Sequence, residues 1–188
     1  MQALDLLLGR VSVARLQEPA PGLAQRDVMF RAALRAPDHG LLHPWRFISI
    51  DGEGLSALGE LYAKALLARE PNASEIALKK ARNMPLRAPW VIAVILSPSE
   101  HPKVPLEEQE LSAGCAAFAL VQAAHAMSYG AIWRTGEFAR DAVVNEGLGL
   151  REGEKVVGFI YVGKPVDEEP RTPEALDPDD FLSVWPAR

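Results

Sequence analysis

The sequence predicts a layered α+β fold in a single domain, and three observations support this prediction. Residues 88–97 and 154–163 are rich in Val and Ile without polar alternation, a pattern typical of strands that are covered on both faces. Residues 105–130 form the longest helical pattern and carry many small residues that allow close packing. The predicted helices and strands do not alternate regularly, which argues against a doubly wound parallel sheet. At 188 residues, the chain has the size of one compact domain and contains no internal repeat.

Local signals set the limits of each predicted element. Apolar residues at helical spacing predict the first two helices, and Pro37 ends the second because the residue before a proline disfavours helical backbone. Residues 45–51 have the composition of a strand, and Asn72 or Ser74 can cap a later helix. Acidic residues begin the long helix, where its dipole favours them, and Gly130 ends it. In chain order the predicted elements are a helix over 2–10, an extended loop over 10–22, a helix over 23–36, a strand over 45–51, helices over 54–70 and 74–83, the strand 88–97, the long helix 105–130, a short helix over 138–149 and the strand 154–163.

The C-terminal segment, residues 164–188, is predicted to be an extended arm. It contains five prolines and an excess of acidic residues. It also keeps Phe181, Val184 and Trp185, which are residues that a disordered tail rarely retains. We therefore expect the arm to pack on a protein surface, and the surface of a partner subunit is one alternative.

Charge and cysteine content limit the possible classes of function. A formal net charge of −5 argues against a general binder of nucleic acid or acidic membranes, since both need a net basic face. The single cysteine, Cys115, cannot form an internal disulfide, and its alanine-rich surroundings favour a small buried residue over a reactive thiol. The N-terminus lacks the positive region of a signal peptide, and no apolar segment is long enough to span a bilayer. These features predict a cytoplasmic protein without nucleic-acid or membrane partners.

Several common catalytic and binding motifs are missing from the sequence. There is no glycine-rich dinucleotide fingerprint, no phosphate-binding loop and no nucleophile elbow of a serine hydrolase. The four histidines do not follow a familiar metal-ligand spacing. No resident metal is therefore expected, and a bound anion would have to be held by individual cations and hydroxyls.

One such group of cations and hydroxyls follows the first helix, where Arg10, Ser12 and Arg15 lie close together in sequence. A guanidinium fork beside a hydroxyl suits a phosphate monoester, because charge-assisted hydrogen bonds from arginine can be bidentate. A solvated basic loop explains the same residues, and the local sequence alone favours that alternative.

A second group comes directly after the long helix and consists of Trp133, Arg134 and Thr135. The tryptophan could shield a planar ligand, or it could be a core residue that anchors a turn. A third segment, residues 35–47, concentrates two histidines, an aspartate, two prolines and a tryptophan. Turn chemistry explains its prolines and its glycine, but it does not explain its histidines.

Four stretches occur together in an order and spacing that resemble those of the FMN-dependent nitroreductase family, in its short bacterial branch of NAD(P)H nitroreductases. The resemblance extends from about Ala3 to Pro165 and implies an intertwined homodimer, with a central mixed or antiparallel sheet flanked by helices, two FMN sites at the interface and an arm packed on the dimer. The stretches are ALDLLLGRVSVARL, RAALRAPDHGLLHPWRF, EEQELSAGCAAFALVQAAHAMSYGAIWRTG and VVGFIYVGKP.

The resemblance also implies roles for individual residues. Arg10, Val11 and Ser12 match the stretch that holds the phosphate and ribityl region of FMN. Arg35 would contribute from the same subunit and His39 from the neighbouring one. The segment Trp133, Arg134 and Thr135 would close over the isoalloxazine ring with its backbone N–H groups. The residues matching the stretch associated with NADH or NADPH are Ala123, Ala124, His125, Ala126, Met127 and Ser128.

The implied reaction is a ping-pong reduction of a nitroaromatic, a quinone or a similar electron-poor small molecule by NAD(P)H. His39 or water would supply a proton in the second half, and a purely structural hydrogen bond from His39 to the flavin is the alternative. The chain departs from the family at Val11, where a second arginine is usual, and at His43, where many members have glutamine. Both departures bear on the reduction potential of the flavin and on the choice of acceptor.

Other functions remain open at this level. The same fold hosts reductive dehalogenation and oxidative fragmentation of the flavin. A protein that binds FMN without turnover is a second alternative, and a helical interaction module without a cofactor is a third.

Overall fold

The computed structural model describes residues 2–167 and 171–185, and it has the predicted α+β architecture. Parts of the predicted single domain and of the C-terminal arm, residues 1, 168–170 and 186–188, lie outside the described residues. Single 3-10 turns cover residues 39–41, 85–87, 137–140 and 178–180. The helices and strands, in chain order, are α1 (Ala3–Gly9), β1 (Leu16–Gln17), α2 (Leu23–Ala33), β2 (Trp45–Asp51), α3 (Glu53–Arg69), α4 (Glu75–Asn83), β3 (Trp90–Leu96), α5 (Leu106–Ala126), β4 (Gly130–Arg134), α6 (Ala142–Gly147) and β5 (Lys155–Pro165).

The five strands form one sheet, and every strand pair in the described chain is antiparallel. The long strand β5 pairs with β3, β4 and β1, while β2 pairs with the other edge of β3. A helix lies between each pair of successive strands in the chain order, so none of these strands is joined to the next by a short hairpin in the described chain. The prediction of a sheet flanked by helices is therefore confirmed.

Side chains of β3 alternate between two buried clusters, one on each face of the sheet. Val91, Ala93 and Ile95 belong to the cluster that also contains residues of α3, α4 and α6. Ile92 and Val94 belong to the cluster that contains residues of α2 and α5. All seven β3 residues are buried, as the absence of polar alternation predicted. The sheet is thus the middle of three layers.

The structure differs from the predictions at four places. Helix α2 ends at Ala33, three residues before the predicted end, because the N–H groups of Arg35 and Ala36 close tight turns onto Ala32 and Ala33. Helix α5 ends at Ala126, because Ser128 adopts left-handed backbone with φ +59°. The strand β4 then begins at Gly130, where no strand was predicted. The predicted helix over 138–149 shrinks to α6, which the Asp141 side chain caps.

Cys115 is exposed, so the expectation of a buried cysteine is wrong. It follows Leu111 and precedes Phe118 on the face of α5 that points away from the sheet, since spacings of three and four residues share a helix face. Residues 171–185 of the arm are all exposed. In the described part of the chain, no helix is long and apolar enough to cross a membrane.

Gly59 allows α3 and α4 to approach each other closely. A Cβ atom on Gly59 would lie 2.2 Å from the backbone oxygen of Arg82. Backbone atoms cannot move aside as a flexible side chain can, so Gly59→Ala must separate the two helices. We expect the free energy of unfolding, measured by urea denaturation, to fall by about 1–3 kcal/mol.

Gly114→Ala is the matched control, since Gly114 also lies inside a long helix. A Cβ atom there would meet Cη2 of Trp133 at 3.8 Å, which is ordinary van der Waals contact. This variant should lose no stability and gain up to about 1 kcal/mol from the higher helix propensity of alanine. Equal unfolding free energies for the two variants would contradict the close approach at Gly59.

Candidate functional site

The segment that follows α1 lies beside β4, and backbone contacts fix it there. The Val13 N–H donates to the carbonyl oxygen of Ala131 at 3.0 Å. A Cβ atom on Gly130 would lie 2.6 Å from Leu16 and 3.0 Å from Val13, so only glycine permits this approach. The structure therefore brings the segment that contains Arg10 and Ser12 to the strand that carries Trp133, although more than a hundred residues separate the two in sequence.

Arg10 lies against the C-terminal end of α5, near His125. A Cβ atom on Gly9, the residue before Arg10, would lie 3.8 Å from Nε2 of His125. Burial lowers the pKa of His125, and the positive charge of Arg10 lowers that pKa further. Both residues are half-buried, so this region of the surface carries a cation in a partly desolvated position.

Ion pairing distinguishes Arg10 and Arg134 from other half-buried arginines. Neither forms an ion pair with a carboxylate in the part of the chain that the structure describes. Taking a cation partly out of water costs free energy unless an anion or hydrogen bonds compensate. A cation without an internal counter-ion is suited to an anionic ligand. The paired half-buried arginines are Arg26 with Asp51, Arg46 with Glu154, and Arg82 with Glu60.

Trp133 lies on the α5 side of the sheet. Its Cη2 atom is in contact range of Gly114, and its indole N–H donates to the carbonyl oxygen of Val157 at 3.4 Å. A Cβ atom on Gly158 would lie 2.0 Å from the indole nitrogen, so the absence of a side chain at this position lets the ring approach β5 closely. The indole is half-buried, and contacts with α5 and β5 fix its position.

The side chain of Arg134 lies on the opposite face of the sheet, because successive strand residues alternate. Its guanidinium carbon is 5.9 Å from the centre of the Tyr161 ring, within the cluster that contains α3 and α6. Its Nε atom is buried and lacks a hydrogen-bond partner in the described structure. The structure therefore does not bring this guanidinium to the face of the sheet that carries the Trp133 ring, and Arg134 can contribute only its backbone there.

His39 and Arg35 lie toward the other end of α5. The Nδ1 atom of His39 is 2.6 Å from Oε2 of Glu108, in the first turn of that helix. Glu108 and His125 are seventeen residues apart on α5, or about 25 Å along its axis. The structure therefore does not bring His39 to Arg10 within one chain. Arg35 is exposed and forms no ion pair with a residue of the described ranges.

The turn over residues 38–43 has a local explanation. The Asp38 carboxylate accepts hydrogen bonds from the N–H groups of Leu42 and His43. Gly40 adopts φ +78°, which favours glycine, and a 3-10 turn results. Trp45 then begins β2 with its side chain buried. The aspartate and the glycine of this segment thus serve the turn, while His39 remains at the surface.

Comparison with known proteins identifies the family. The sequence model described as the nitroreductase family matches residues 7–164. The chain belongs to the nitroreductase family. It is 42% identical over 185 residues to "Putative NAD(P)H nitroreductase YdjA" of Escherichia coli strain K12, which covers 98% of this chain and 100% of that protein. The predicted family is therefore confirmed, and the protein is an oxidoreductase.

Solved structures share the fold of this nitroreductase-family chain. The nitroreductase-like family protein from Bacillus cereus superposes with a TM-score of 0.83 at 20% identity, covering 100% of this chain and 97% of that one. A mutant of the FMN and NADPH-dependent nitroreductase NfnB from Sphigopyxis sp. strain HMH superposes with a TM-score of 0.75 at 18% identity, covering 100% of both chains. At these identities the likeness concerns the fold alone.

In this nitroreductase-family chain, the stretch predicted to contact NAD(P)H is not uniformly accessible. Ala124 is completely buried against the sheet, whereas Ala126 and Ser128 are exposed. Lys164 was not among the predicted site residues. Its Nζ atom donates to the carbonyl oxygen of Ser128 at 2.9 Å and lies 4.0 Å from the centre of the Tyr129 ring. The motif VGKP contains this lysine, but only the fold shows that it lies beside the end of α5.

Proposed function

We propose that this protein is a homodimeric, FMN-dependent oxidoreductase that uses NADH or NADPH to reduce nitroaromatics, quinones or similar electron-poor molecules by a ping-pong mechanism. The observation that carries the proposal is Arg10, a half-buried cation without an internal carboxylate partner, held beside the strand of Trp133. The printed name of the E. coli relative, which includes NAD(P)H, is consistent with the proposed reductant.

The residues present suit FMN. Arg10 and Ser12 would hold the phosphate and ribityl region, with Val11 between them, because a guanidinium and a hydroxyl both donate to phosphate oxygens. Trp133 offers a fixed planar side chain, and the residues that follow β4, Thr135 and Gly136, are exposed, so their backbone N–H groups would donate to the flavin. We assign Arg134 to the site through its backbone, since its side chain lies on the other face of the sheet.

Bound FMN would supply two-electron chemistry, accepting hydride from NAD(P)H and passing it to the acceptor. The role of Arg10 would be electrostatic, because a cation fixed near a site of developing negative charge stabilises it without reorganisation. Arg35 lies toward the same end of α5 as His39, so it would act in this way only in the flavin site that contains His39. His39 is held by Glu108 through Nδ1, which leaves Nε2 for a hydrogen bond to the flavin or for donation of a proton to the acceptor.

Two subunits would complete each site. Glu108, which contacts His39, and His125, which lies near Arg10, are about 25 Å apart along α5. This distance exceeds the length of FMN and supports a contribution of His39 from the second chain. Helix α1 leaves Leu4, Leu7 and Leu8 exposed, and α5 leaves Leu111 and Phe118 exposed. Exposed apolar groups of this kind are typical of a protein interface. The exposed arm, residues 171–185, would also pack on that dimer.

The absorption spectrum of the purified full-length protein tests this proposal. We expect a flavin spectrum, with bleaching by NADH or NADPH under anaerobic conditions and recovery when a quinone or nitroaromatic is added. Steady-state rates should give parallel double-reciprocal lines, as ping-pong kinetics require. A bound flavin that neither nucleotide reduces would support a non-catalytic FMN-binding protein. A colourless protein that does not take up added FMN would overturn the proposal.

A further inference from the structure

The side chain of His125 lies next to Arg10, and the proposed function has not assigned it a specific partner. Its Nε2 atom points to Gly9, where a Cβ atom would lie only 3.8 Å away. The imidazole is half-buried, and within residues 2–167 and 171–185 it forms no side-chain hydrogen bond or ion pair. A half-buried imidazole with unused hydrogen-bonding atoms is suited to a ligand.

The charges around His125 are positive. Arg10 approaches it from the end of α1 and opposes its protonation. Lys164, from the end of β5, is anchored to the carbonyl oxygen of Ser128, three residues after His125. The C-terminal end of α5 favours cations, which explains in part why they gather here. The helix end carries only a partial charge, however, so it leaves most of the charge of two full cations uncompensated.

We propose that His125 and Arg10 together bind the phosphate group of FMN, with the imidazole donating a hydrogen bond to a phosphate oxygen. This assignment rests on the proposed function and makes it more specific, since it moves His125 from the NAD(P)H contact surface to the phosphate-binding end of the flavin site. A dianion between the two side chains would turn their mutual repulsion into attraction, and it would use the free imidazole nitrogen.

Binding of FMN and of riboflavin to the full-length protein, followed by flavin fluorescence, tests this assignment. Riboflavin lacks the phosphate, so the loss of a side chain that binds the phosphate should weaken the binding of FMN alone. We expect His125→Phe, which keeps a ring but removes the donor, to raise the Kd for FMN about tenfold or more while leaving the Kd for riboflavin unchanged. His125→Gln, whose amide can donate, should recover part of the FMN affinity. The KM for NADH or NADPH at saturating FMN should not change.

His101→Phe is the control, because His101 lies before α5, far from its C-terminal end, and should leave both affinities unchanged. Equal weakening of FMN and riboflavin binding by His125→Phe would indicate a merely structural role and overturn the assignment. An increased KM for the nucleotide with unchanged FMN affinity would also overturn it. If the parent protein binds FMN but neither variant alters its Kd, the assignment fails while the proposed function stands. If the parent binds neither flavin, both fail.

Discussion

Arg10→Ala is expected to weaken FMN binding by about 1.5–3 kcal/mol, or about 10- to 150-fold in Kd. Arg10 is a half-buried cation, and no carboxylate of the described chain is paired with it. The substitution removes charge-assisted hydrogen bonds to the phosphate that no adjacent arginine can replace, since the following position is Val11. Fluorescence titration with FMN, and the fraction of flavin retained after gel filtration, measure the effect.

Arg15→Ala is the matched control for Arg10→Ala. Arg15 lies in the same connecting segment, but its side chain is 69% exposed and forms an ion pair with Asp167. Exposed ion pairs contribute little, so this variant should bind FMN with a Kd within about twofold of the parent value. If Arg10→Ala and Arg15→Ala retain FMN equally well, the phosphate does not lie at Arg10 and the proposed orientation of the flavin is wrong.

Glu154→Gln is expected to lower the free energy of unfolding by about 3 kcal/mol at neutral pH. The Glu154 side chain is 3% exposed and accepts hydrogen bonds from Nε and a terminal nitrogen of Arg46 at 2.8 and 2.6 Å. It also accepts from the N–H of Arg151 at 2.8 Å. The interaction joins β2 to the turn that begins β5. Neutralising the carboxylate leaves the partly buried Arg46 without its counter-ion.

The same interaction predicts how stability depends on pH. Hydrogen bonds from Arg46 lower the pKa of Glu154 to about 2 in the folded protein, despite the opposing effect of burial. In the unfolded chain the pKa returns to its ordinary value near 4.5. The carboxylate therefore stabilises the fold fully above that value, and the contribution declines as the pH falls towards 2. Urea denaturation at pH 7 and at pH 3 should show the difference between parent and Glu154→Gln narrowing at the lower pH.

Glu110→Gln provides the comparison for Glu154→Gln. Glu110 pairs with Lys155, the residue next to Glu154, at 3.0 Å, but both side chains are about half exposed. Removing this ion pair should cost no more than about 1 kcal/mol. Similar losses of stability in the two variants, or a difference between parent and Glu154→Gln that stays constant from pH 7 to pH 3, would contradict the role assigned to the buried carboxylate.

The long and uniform elements could be predicted because their signals are local. Strand β3 contains seven consecutive buried residues. An uninterrupted apolar run of this length indicates a strand that is buried on both faces of the sheet. Helix α5 has a comparably long pattern, although its end depends on the left-handed backbone of Ser128. The short strand β4 was not predicted, because five residues beginning with glycine have little strand signal of their own and form a strand through pairing with β5.

The candidate site could be predicted only in part. The family resemblance named Arg10, His39 and Trp133, but it gave no distances between them. The alternation of β4 decides that Trp133 and Arg134 face opposite layers. The position of Lys164 beside Ser128 depends on the folding of β5, and no sequence pattern near either residue indicates it.

The fold class, the buried strands, the long helix and the family could all be predicted from the amino-acid order, because each follows from composition, periodicity or ordered motifs along the chain. The position of Arg10 beside His125, and that of His39 near the opposite end of α5, became clear only from the folded chain. Helical and strand periodicity report on neighbours a few residues away, whereas the site depends on contacts between segments that are 69 to more than a hundred residues apart. Those contacts are fixed by the register of β4 on β5 and by the packing of α1 on α5.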